Sequence, residues 1–229
     1  MISLACDLHL HSCLSPCGDE DMTPCNIAGM AHINGLQAVA LTDHNSSKNC
    51  PAFELACREY GIIALSGMEL TTAEEIHLIC LFENSALAAD FESAVDEYRM
   101  RVKNRKEIFG EQLIMGERDA VIGEYPFLLP TATGLSLKQG VELCRSMGGI
   151  CYPAHIDREA NGILAILGGL PEDIDFPVVE TVTDMPVSGR RIISSDAHRL
   201  WEIKDEANTI LLPESADRKA ALMNYLGGL

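Results

Sequence analysis

Short apolar runs alternate with longer stretches of mixed polar and apolar residues along the chain. The apolar runs predict buried strands, and stretches with apolar positions every third or fourth residue predict helices. The predicted strands cover residues 2–6, 38–41, 62–65, 76–82, 150–152, 178–180, 191–193 and 209–212. The predicted helices cover residues 23–34, 51–61, 85–109, 136–147 and 160–167, with a last one from residue 214. This alternation is typical of βα units around a parallel sheet or barrel, so we expect an α/β fold.

Two regions depart from the alternation. Residues 112–134 are rich in Gly, Pro and Glu, and they predict an irregular excursion from the main domain. The chain has no internal repeat or long linker, and 229 residues suit one substantial domain, which we expect to cover residues 1–229. The Glu, Lys and Arg run between residues 92 and 111 predicts a solvated face, with a lid or a dimer contact as alternatives.

Composition and charge limit the partners of the chain. The formal charge of −17 argues against binding to long nucleic acids, but it permits a small anionic substrate if metal ions invert the local charge. Nine cysteines without paired spacing predict reduced thiols in a cytoplasmic protein. No apolar stretch is long enough to span a membrane, and no export signal is visible at the start. Composition does not set the oligomeric state.

Six of the seven histidines lie at or beside the ends of predicted strands, where α/β barrels build their sites. His9 and His11 are two residues apart, so both would project from the same side of a strand toward one metal ion. Histidine and carboxylate ligands together suit zinc, manganese or iron, and six imidazoles exceed the needs of one ion. We therefore expect two to three divalent ions. The candidate ligands are His9, His11, Asp19, His44, Glu69, His77, His155, Asp196 and His198.

The ordered motifs of the chain resemble those of the PHP superfamily, the polymerase and histidinol phosphatase type of metal-dependent phosphoesterase. The matching segments are Asp7-Leu8-His9-Leu10-His11-Ser12, Leu41-Thr42-Asp43-His44, Gly67-Met68-Glu69, His77, Pro153-Ala154-His155 and Ser195-Asp196-Ala197-His198. They run in the family's order over nearly the whole chain. The resemblance implies a distorted (β/α)7 TIM-like barrel of PHP type, with up to three metal ions at the C-terminal ends of its strands.

The resemblance also implies how the ligands divide among three ions, with one glutamate as a bridge. The ligands of the first ion would be His9, His11, Glu69 and Asp196. Those of the second would be His44, His198 and a residue of the first loop, and those of the third would be Glu69, His77 and His155. Residues behind the imidazoles would orient them, and these are Asp7, Thr42 and Asp43.

The loop after the first motif is longer than in relatives that carry a Ser-Asp-Gly there, so its ligand is ambiguous. Counting back from Thr23 favours Asp19, and counting forward from His11 favours Cys17. We expect Asp19, because a carboxylate suits the same ions as its neighbours. A thiolate zinc site would lack a fourth ligand, and small buried cysteines are the better interpretation of Cys13, Cys17 and Cys25.

A cation near the metal ions would bind the phosphate of a substrate. Arg158 occupies the place of the arginine in the His-Pro-Gly-Arg of relatives, and its fork of N–H groups suits phosphate oxygens. The alternative is a surface ion pair of Arg158 with Asp157 or Glu159. Arg199 and Lys48 are weaker candidates for substrate binding, with a solvated position as the alternative for each.

These inferences predict a metal-dependent phosphoesterase in which metal-activated hydroxide attacks a phosphate ester. Glu69, Asp196 and Arg158 are the candidate catalytic residues. The expected substrate is a small phosphorylated metabolite, such as a nucleotide or a sugar phosphate. The alternatives are a phosphodiesterase or exonuclease on short nucleic acid, and a regulatory module that binds metal or nucleotide without turnover. Amide or deaminase hydrolysis is disfavoured because no lysine lies beside these histidines.

Overall fold

The computed structural model describes residues 1–187, 189–204 and 208–228, and it has an α/β fold around a curled six-stranded sheet. The strands are β1 (Ile2–Leu10), β2 (Ala38–Leu41), β3 (Ile63–Thr71), β4 (His77–Phe82), β5 (Leu113–Met115), β6 (Val121–Glu124), β7 (Ile150–Pro153), β8 (Val178–Glu180), β9 (Arg190–Ile192) and β10 (Asn208–Leu212). The helices are α1 (Pro24–Ile33), α2 (Cys50–Glu59), α3 (Ser85–Asp96), α4 (Lys106–Phe109), α5 (Leu137–Ser146), α6 (Ile163–Leu167) and α7 (Arg218–Leu226). Among the described residues, none of these helices combines the length and the apolarity needed to cross a bilayer.

The sheet mixes parallel and antiparallel neighbours in the order β10-β1-β2-β3-β4-β7. Strands β1, β2 and β3 are parallel, whereas β4 runs antiparallel to β3 and to β7, and β10 runs antiparallel to β1. Strands β8 and β9 form a separate parallel pair. The expected α/β fold is confirmed and is consistent with a distorted barrel, but the count of seven βα units is not, because β4 follows β3 without a crossover helix.

The antiparallel direction of β4 explains how its first residue reaches the far ends of its neighbours. His77 begins β4 and pairs with Thr71, the last residue of β3. In an antiparallel pair the start of one strand lies beside the end of the other. His77 therefore lies at the same end of the sheet as the carboxyl ends of β1, β2 and β3.

The core lies on both faces of the sheet, because alternate strand residues point to opposite sides. Leu4 and Leu8 of β1 belong to a cluster that also contains Tyr152 of β7 and Leu222 of α7. Leu10 packs instead with residues of α1 and α2, such as Phe53, because an irregularity in the register between Asp7 and Leu10 shifts the alternation near the end of β1. Strands β8 and β9 join the first cluster through Val178 and Ile192, so they close the curled sheet on that side.

Two helices begin where the sequence places strong start signals. The Thr23 side chain accepts a hydrogen bond from the Asn26 backbone N–H, and Pro24 occupies the first position of α1. Ser136 and Gln139 form a reciprocal capping box at the start of α5. Both predicted helix starts are confirmed.

The predicted helix over residues 85–109 is wrong between residues 97 and 105, and helical structure returns in α4. Helix α3 ends at Asp96, a turn follows, and isolated bridges then join Arg99 to Thr133 and Lys103 to Phe127. The physical reason is visible in the sequence, where charged and apolar side chains alternate with a period of two between residues 99 and 103. The expected excursion follows, and part of it is regular, because β5 and β6 pair as an antiparallel ribbon.

Candidate metal centre

The candidate site lies where the ends of β1, β2 and β3 meet the start of β4 and the loops after β7 and β9. Its side chains come from six segments of the chain and are here called the ligand cluster: His9, His11, His44, Glu69, His77, His155, Asp196 and His198. The first six of these residues are buried, and the last two are partly buried. Strands β1 and β3 extend beyond their predicted ends and include His9 and Glu69. These polar residues were not predicted as strand because the prediction followed apolar runs, yet both are buried.

Glu69 is buried at the middle of the ligand cluster, and both of its carboxylate oxygens face imidazole nitrogens. The nitrogens around its Oε1 are His77 Nδ1 at 2.6 Å, His155 Nε2 at 3.1 Å and His9 Nε2 at 3.4 Å. Those around its Oε2 are His44 Nδ1 at 2.9 Å and His11 Nε2 at 3.4 Å. A carboxylate in this position can bridge between metal ions.

Asp196 brings a second carboxylate to the pair formed by His9 and His11. Its Oδ1 lies 3.2 Å from His9 Nε2 and 3.1 Å from His11 Nε2. The ring of His198 stacks on His11, with 4.3 Å between the ring centroids. Three groups of residues each bring their ligand atoms within 4.8 Å of one another. The groups are His9, His11 and Asp196; His11, His44 and His198; and His44, Glu69 and His77.

The geometry of the ligand cluster fits bound divalent ions. Nδ1 of His44, Nδ1 of His77 and Oδ1 of Asp196 are buried and form no hydrogen bond of suitable geometry among the described residues. Each nevertheless has a close polar neighbour: the two nitrogens lie 2.9 Å and 2.6 Å from Glu69 oxygens, and the Asp196 oxygen lies 3.1 Å from His11 Nε2. These atoms are close but not aligned for hydrogen bonds, because their side chains point toward a shared centre. Burial of unpartnered polar atoms is costly, and divalent ions at that centre would satisfy them. Imidazole nitrogens and carboxylate oxygens are suitable ligands for zinc, manganese or iron.

Glu180, the last residue of β8, orients His9 from behind. Its Oε1 lies 3.0 Å from His9 Nδ1 and also accepts a hydrogen bond of 3.0 Å from the backbone N–H of His155. With its proton on Nδ1, His9 keeps Nε2 free to face the ligand cluster. Glu180 was not among the predicted site residues, although the sequence contains a signal for it, an acidic residue at the carboxyl end of an apolar strand.

Ser15 orients His11 in a similar way. The Ser15 hydroxyl lies 3.0 Å from His11 Nδ1 and donates a hydrogen bond of 2.7 Å to Asp43 Oδ1. Because its proton points to Asp43, the hydroxyl oxygen can accept a hydrogen bond from His11 Nδ1–H. Asp43 was expected to orient an imidazole, and its contact with His11 runs through Ser15. Nothing in the sequence indicated the role of Ser15.

The turns that present His155 and Asp196 have unusual backbone conformations. Their φ angles are 27° and 49°, in the left-handed region that residues with a side chain rarely adopt. Asp7 stabilises the second turn by accepting a hydrogen bond of 3.0 Å from the Ser195 backbone N–H. Thr42, also expected behind the imidazoles, donates its hydroxyl hydrogen bond to the backbone of β1 instead. The surrounding contacts therefore impose the strain that directs both side chains into the ligand cluster.

Charge coupling governs protonation in the metal-free site. Burial lowers the pKa of His11, but the carboxylates of Asp196 and Glu69 outweigh this effect and raise the pKa to about 9. Burial and the nearby His11 lower the pKa of His44, and Glu69 again raises it, to about 9. Burial raises the pKa of Glu69, yet the surrounding imidazoles hold it well below its usual range. Burial lowers the pKa of His198 to about 4. Protons and metal ions therefore compete for the same nitrogens.

The first loop holds its two candidate ligands in different surroundings. The carboxylate of Asp19 lies 3.5 Å from Arg199 Nε, and its backbone N–H donates to the carbonyl of His198 at 2.9 Å. Cys17 is exposed, and its thiol contacts His44 closely enough to help raise the pKa of that imidazole. Within the described ranges, neither residue joins a set of three close ligand atoms. Asp19 thus stays a prediction, and Cys17 is the loop residue in contact with the ligand cluster.

The cysteines behave as ordinary thiols. All nine are free, and most of them are buried. The expectation of burial is confirmed for Cys13 but is wrong for Cys17, which is exposed, and for Cys25, which is half-buried. Burial raises the pKa of Cys13 to about 12 and that of Cys25 to about 11, which disfavours the thiolate that zinc requires. A zinc site built from the cysteines of the first loop therefore has no support in the part of the chain that the structure describes.

Arg158 reaches the ligand cluster. Its Nη1 lies 2.7 Å from Asp196 Oδ2, while 44% of its side chain is exposed. The surface pair of Arg158 with Asp157 does not form, because Asp157 accepts hydrogen bonds from the backbone of Val182 and Thr183. Arg158 is therefore the cation at the edge of the metal centre.

The remaining candidates lie outside the ligand cluster. Arg199 is half-exposed and pairs with Asp19. Lys48 Nζ lies 3.5 Å from Glu92 Oε1 and lines a neighbouring cavity. His32 is exposed on α1, as expected of a helix residue without a metal role.

Comparison with protein families agrees with this geometry. Residues 7–112 match the family model of the PHP domain, and this segment includes most of the ligand cluster, from His9 to His77. Residues 7–112 are therefore similar to a PHP domain. The resemblance found in the sequence is confirmed over this segment, and the ligand cluster is of the type that metal-dependent hydrolases use.

Solved structures of similar shape extend the likeness to the whole chain. The lesion-specific endonuclease Q of Pyrococcus furiosus aligns with a TM-score of 0.67 at 16% identity, over 100% of this chain and 56% of the endonuclease. Endonuclease Q in complex with a 27-mer duplex that carries an abasic lesion aligns with a TM-score of 0.66 at 16% identity, over 100% and 57% of the two chains. A protein provisionally named a metal-dependent phosphoesterase, from Bifidobacterium adolescentis, aligns with a TM-score of 0.55 at 17% identity, over 98% and 96%. At these identities the likeness concerns the fold alone.

One relative is similar in sequence over a shorter stretch. A 5'-3' exoribonuclease of Haemophilus influenzae is 33% identical over 78 residues, which are 33% of this chain and 27% of the exoribonuclease. The chain also spans only 56% of endonuclease Q. It therefore corresponds to part of these longer proteins.

Proposed function

We propose that the chain is a metal-dependent phosphoesterase that hydrolyses phosphodiester bonds in nucleic acid. The observation that carries this proposal is the ligand cluster, in which buried nitrogen and oxygen atoms converge, some of them without a hydrogen bond of suitable geometry among the described residues. The cluster offers more ligands than one ion requires, which favours two to three ions of zinc, manganese or iron. When bound, such ions supply Lewis acidity toward a phosphoryl oxygen and lower the pKa of a water molecule.

The residues of the chain would then have separate roles. Glu69 would bridge between ions, and Asp196 would complete the site of His9 and His11. Arg158 uses one N–H group on Asp196 and is partly exposed, so its other N–H groups can bind the phosphoryl oxygens of a substrate. Arg199 and Lys48 would contact more distant parts of the substrate.

The substrate class is the point on which we revise the sequence-based expectation. A small phosphorylated metabolite was expected because the formal charge of −17 disfavours nucleic acid. Net charge describes the whole surface, whereas a substrate meets the local charge around the site. Relatives named as an endonuclease and an exoribonuclease favour a nucleic-acid phosphodiester, which was the alternative. Hydrolysis of a small monoester is kept as an outcome of the test.

Two further expectations accompany the proposal. The nine free thiols favour a reducing compartment such as the cytoplasm. We also propose that residues 1–229 form one PHP-type domain with the excursion attached, because the excursion hydrogen-bonds to the loops after β1, β2 and β3. Neither expectation alters the chemistry assigned to the ligand cluster.

The test combines metal analysis with hydrolysis assays. We expect two or more divalent ions per chain under saturating supply, and metal-dependent cleavage of a short labelled oligonucleotide. His9→Ala should lower turnover by about 100-fold or more. The reason is that it removes an expected ligand of the ion that Glu69 and Asp196 would also bind. His32→Ala, an exposed histidine on α1, serves as the matched control and should leave turnover unchanged.

Three results would contradict the proposal. Fewer than two ions per chain would exclude a multinuclear site. Hydrolysis of nucleoside monophosphates or sugar phosphates without cleavage of oligonucleotides would show that the substrate is a small phosphorylated metabolite, as first expected. Full metal loading without hydrolysis of any ester would support a regulatory module that binds metal without turnover.

A further inference from the structure

A basic segment lies beside the metal centre of this acidic protein. Residues 98–106 contain five of the 17 Lys and Arg residues of the chain and no Asp or Glu, although the whole chain has a formal charge of −17. The segment runs between the isolated bridges that Arg99 and Lys103 form with the excursion, and a tight turn lies between them, where the Val102 N–H donates to the Met100 carbonyl at 3.0 Å. Cations recur at every second position of this segment, at Arg99, Arg101, Lys103 and Arg105. Cations spaced in this way along a chain can contact successive phosphates of a polynucleotide.

Two aromatic rings lie against these cations. The guanidinium of Arg101 is 5.7 Å from the centroid of the Phe127 ring, and that of Arg99 is 5.5 Å from the centroid of the Tyr125 ring. These four residues line a cavity of about 470 Å³. This volume falls within the range of small-ligand pockets, roughly 300–1,000 Å³, so the cavity has room for a base with its sugar.

Acidic residues neutralise part of this surface but not all of it. Glu92 and Asp96 also line the cavity, where Glu92 lies 3.5 Å from Arg99 Nη2 and Asp96 lies 2.9 Å from Arg101 Nη2. Lys103 has no acidic partner within ion-pair distance among the described residues. Lys106 pairs outside the cavity, with Glu111 at 3.3 Å and Glu124 at 3.9 Å. Among the described residues, the charges of the segment without an acidic partner are therefore those of Lys103 and Arg105.

The excursion connects this surface to the metal centre. Arg99 donates a hydrogen bond to the carbonyl of Asn45, which follows His44 of the ligand cluster. The backbone N–H of Leu113 donates to the carbonyl of Cys13 at 2.9 Å, in the loop that follows β1. The excursion is thus held against two of the loops that carry ligand histidines. A chain bound along the segment would arrive at the ligand cluster.

We infer that residues 98–106, together with Tyr125 and Phe127, form a basic–aromatic strip that binds single-stranded nucleic acid and leads it to the metal centre. The inference rests on the proposed function, because the strip would supply the substrate of that site. Cations spaced along a chain bind a phosphate backbone, and aromatic side chains bind bases by stacking, with little dependence on sequence. A single strand is favoured over a duplex because only an unpaired base can enter the ring-lined cavity.

A charge-reversal variant tests the strip. In the metal-loaded full chain, the double variant Arg101→Glu with Lys103→Glu is compared with the wild type on fluorescein-labelled RNA and DNA decamers. Bis(p-nitrophenyl) phosphate serves as a diester too small to reach the strip. We expect the ratio of kcat/KM for the decamer to that for the small diester to fall by about tenfold or more, and the dependence of KM on salt to become weaker.

Lys138→Glu is the matched control. Lys138 lies on α5 and is exposed to a similar degree as Arg101. Like Arg101, it pairs with one carboxylate, here that of Asp173. This control should leave the ratio and the salt dependence unchanged. A third variant, Phe127→Leu, removes the ring but no charge, and it should weaken decamer binding without changing the salt dependence.

The outcomes separate the inference from the proposed function. A double variant with the wild-type ratio would overturn the strip, while cleavage of the small diester would still support the phosphoesterase. Equal binding of single-stranded and duplex decamers, measured by fluorescence anisotropy, would overturn the preference for single strands. Failure of the wild type to cleave any substrate would refute the proposed function, and anisotropy of the same variants would still decide whether the strip binds a single strand.

Discussion

Two imidazoles of the ligand cluster, His9 and His11, are held by hydrogen bonds on the side away from the centre. Glu180 lies 3.0 Å from His9 Nδ1, and Ser15 lies 3.0 Å from His11 Nδ1. Each partner places the proton on Nδ1 and leaves Nε2 available to a metal ion. A carboxylate behind an imidazole also makes the ligand more basic, so its loss weakens metal binding.

Glu180→Gln tests this support at the scale of one residue. The amide keeps the shape of the side chain and removes its charge, so we expect metal affinity to fall by about 10-fold to 100-fold. The measurement is the dissociation constant of manganese or zinc, determined with a competing chelator. Glu172→Gln, at an exposed position in the loop before β8, is the control and should keep the wild-type affinity. Unchanged affinity in Glu180→Gln would show that His9 does not depend on this carboxylate.

Strands β3 and β4 form the antiparallel pair that holds Glu69 and His77 at one end of the sheet. The two strands approach closely at Gly67, which pairs with Leu81. A Cβ atom on Gly67 would lie 2.0 Å from the carbonyl oxygen of Cys80, so only glycine fits here. The position of Glu69 therefore depends on a residue two positions before it that carries no side chain.

Gly67→Ala tests this close approach at the scale of the element. The added methyl group must displace the backbone of β4, and we expect the free energy of unfolding to fall by about 3 kcal/mol. Urea denaturation measures the loss, and metal content should fall with it. Gly169→Ala is the control, because a Cβ atom there meets nothing within 4 Å. Equal stability of the two variants would contradict the packing described for β3 and β4.

The whole molecule carries a formal charge of −17, and without bound metal its centre would hold protons on buried imidazoles. The pKa of His11 and that of His44 are raised to about 9. In the unfolded chain both groups have a pKa near 6.5. Between these values the folded protein binds more protons than the unfolded chain, so the free energy of unfolding must fall as the pH rises.

This linkage predicts how the stability of the whole metal-free protein depends on pH. The contribution of the two imidazoles is complete below pH 6.5 and is lost as the pH rises toward 9, by an amount on the order of 2 kcal/mol. Urea denaturation in EDTA between about pH 6.5 and 7.5 measures it, where the cysteines of the unfolded chain are still mostly protonated. His11→Gln and His44→Gln should each flatten the dependence, whereas the control His32→Gln should not. Saturating metal should also flatten it, because metal displaces these protons. A steep dependence that persists in both cluster variants would contradict the assignment.

The sequence by itself determined the alternation of strands and helices and the residues of the ligand cluster, because apolar runs, helix caps and metal-ligating side chains are local features. It also contained the period-two pattern after residue 98, which the longer helical pattern before it concealed. Total charge conceals local charge in the same way, because −17 is a sum over the chain that hides the basic segment on which the proposed binding of nucleic acid rests.

Only the tertiary structure decided how distant segments meet. It set the antiparallel direction of β4, which brings His77 to the ligand cluster, and it paired Arg158 with Asp196. It also placed Glu180 behind His9, a residue 171 positions away in the chain. Contacts between segments so far apart depend on the packing of the whole sheet, and no local pattern of residues encodes them.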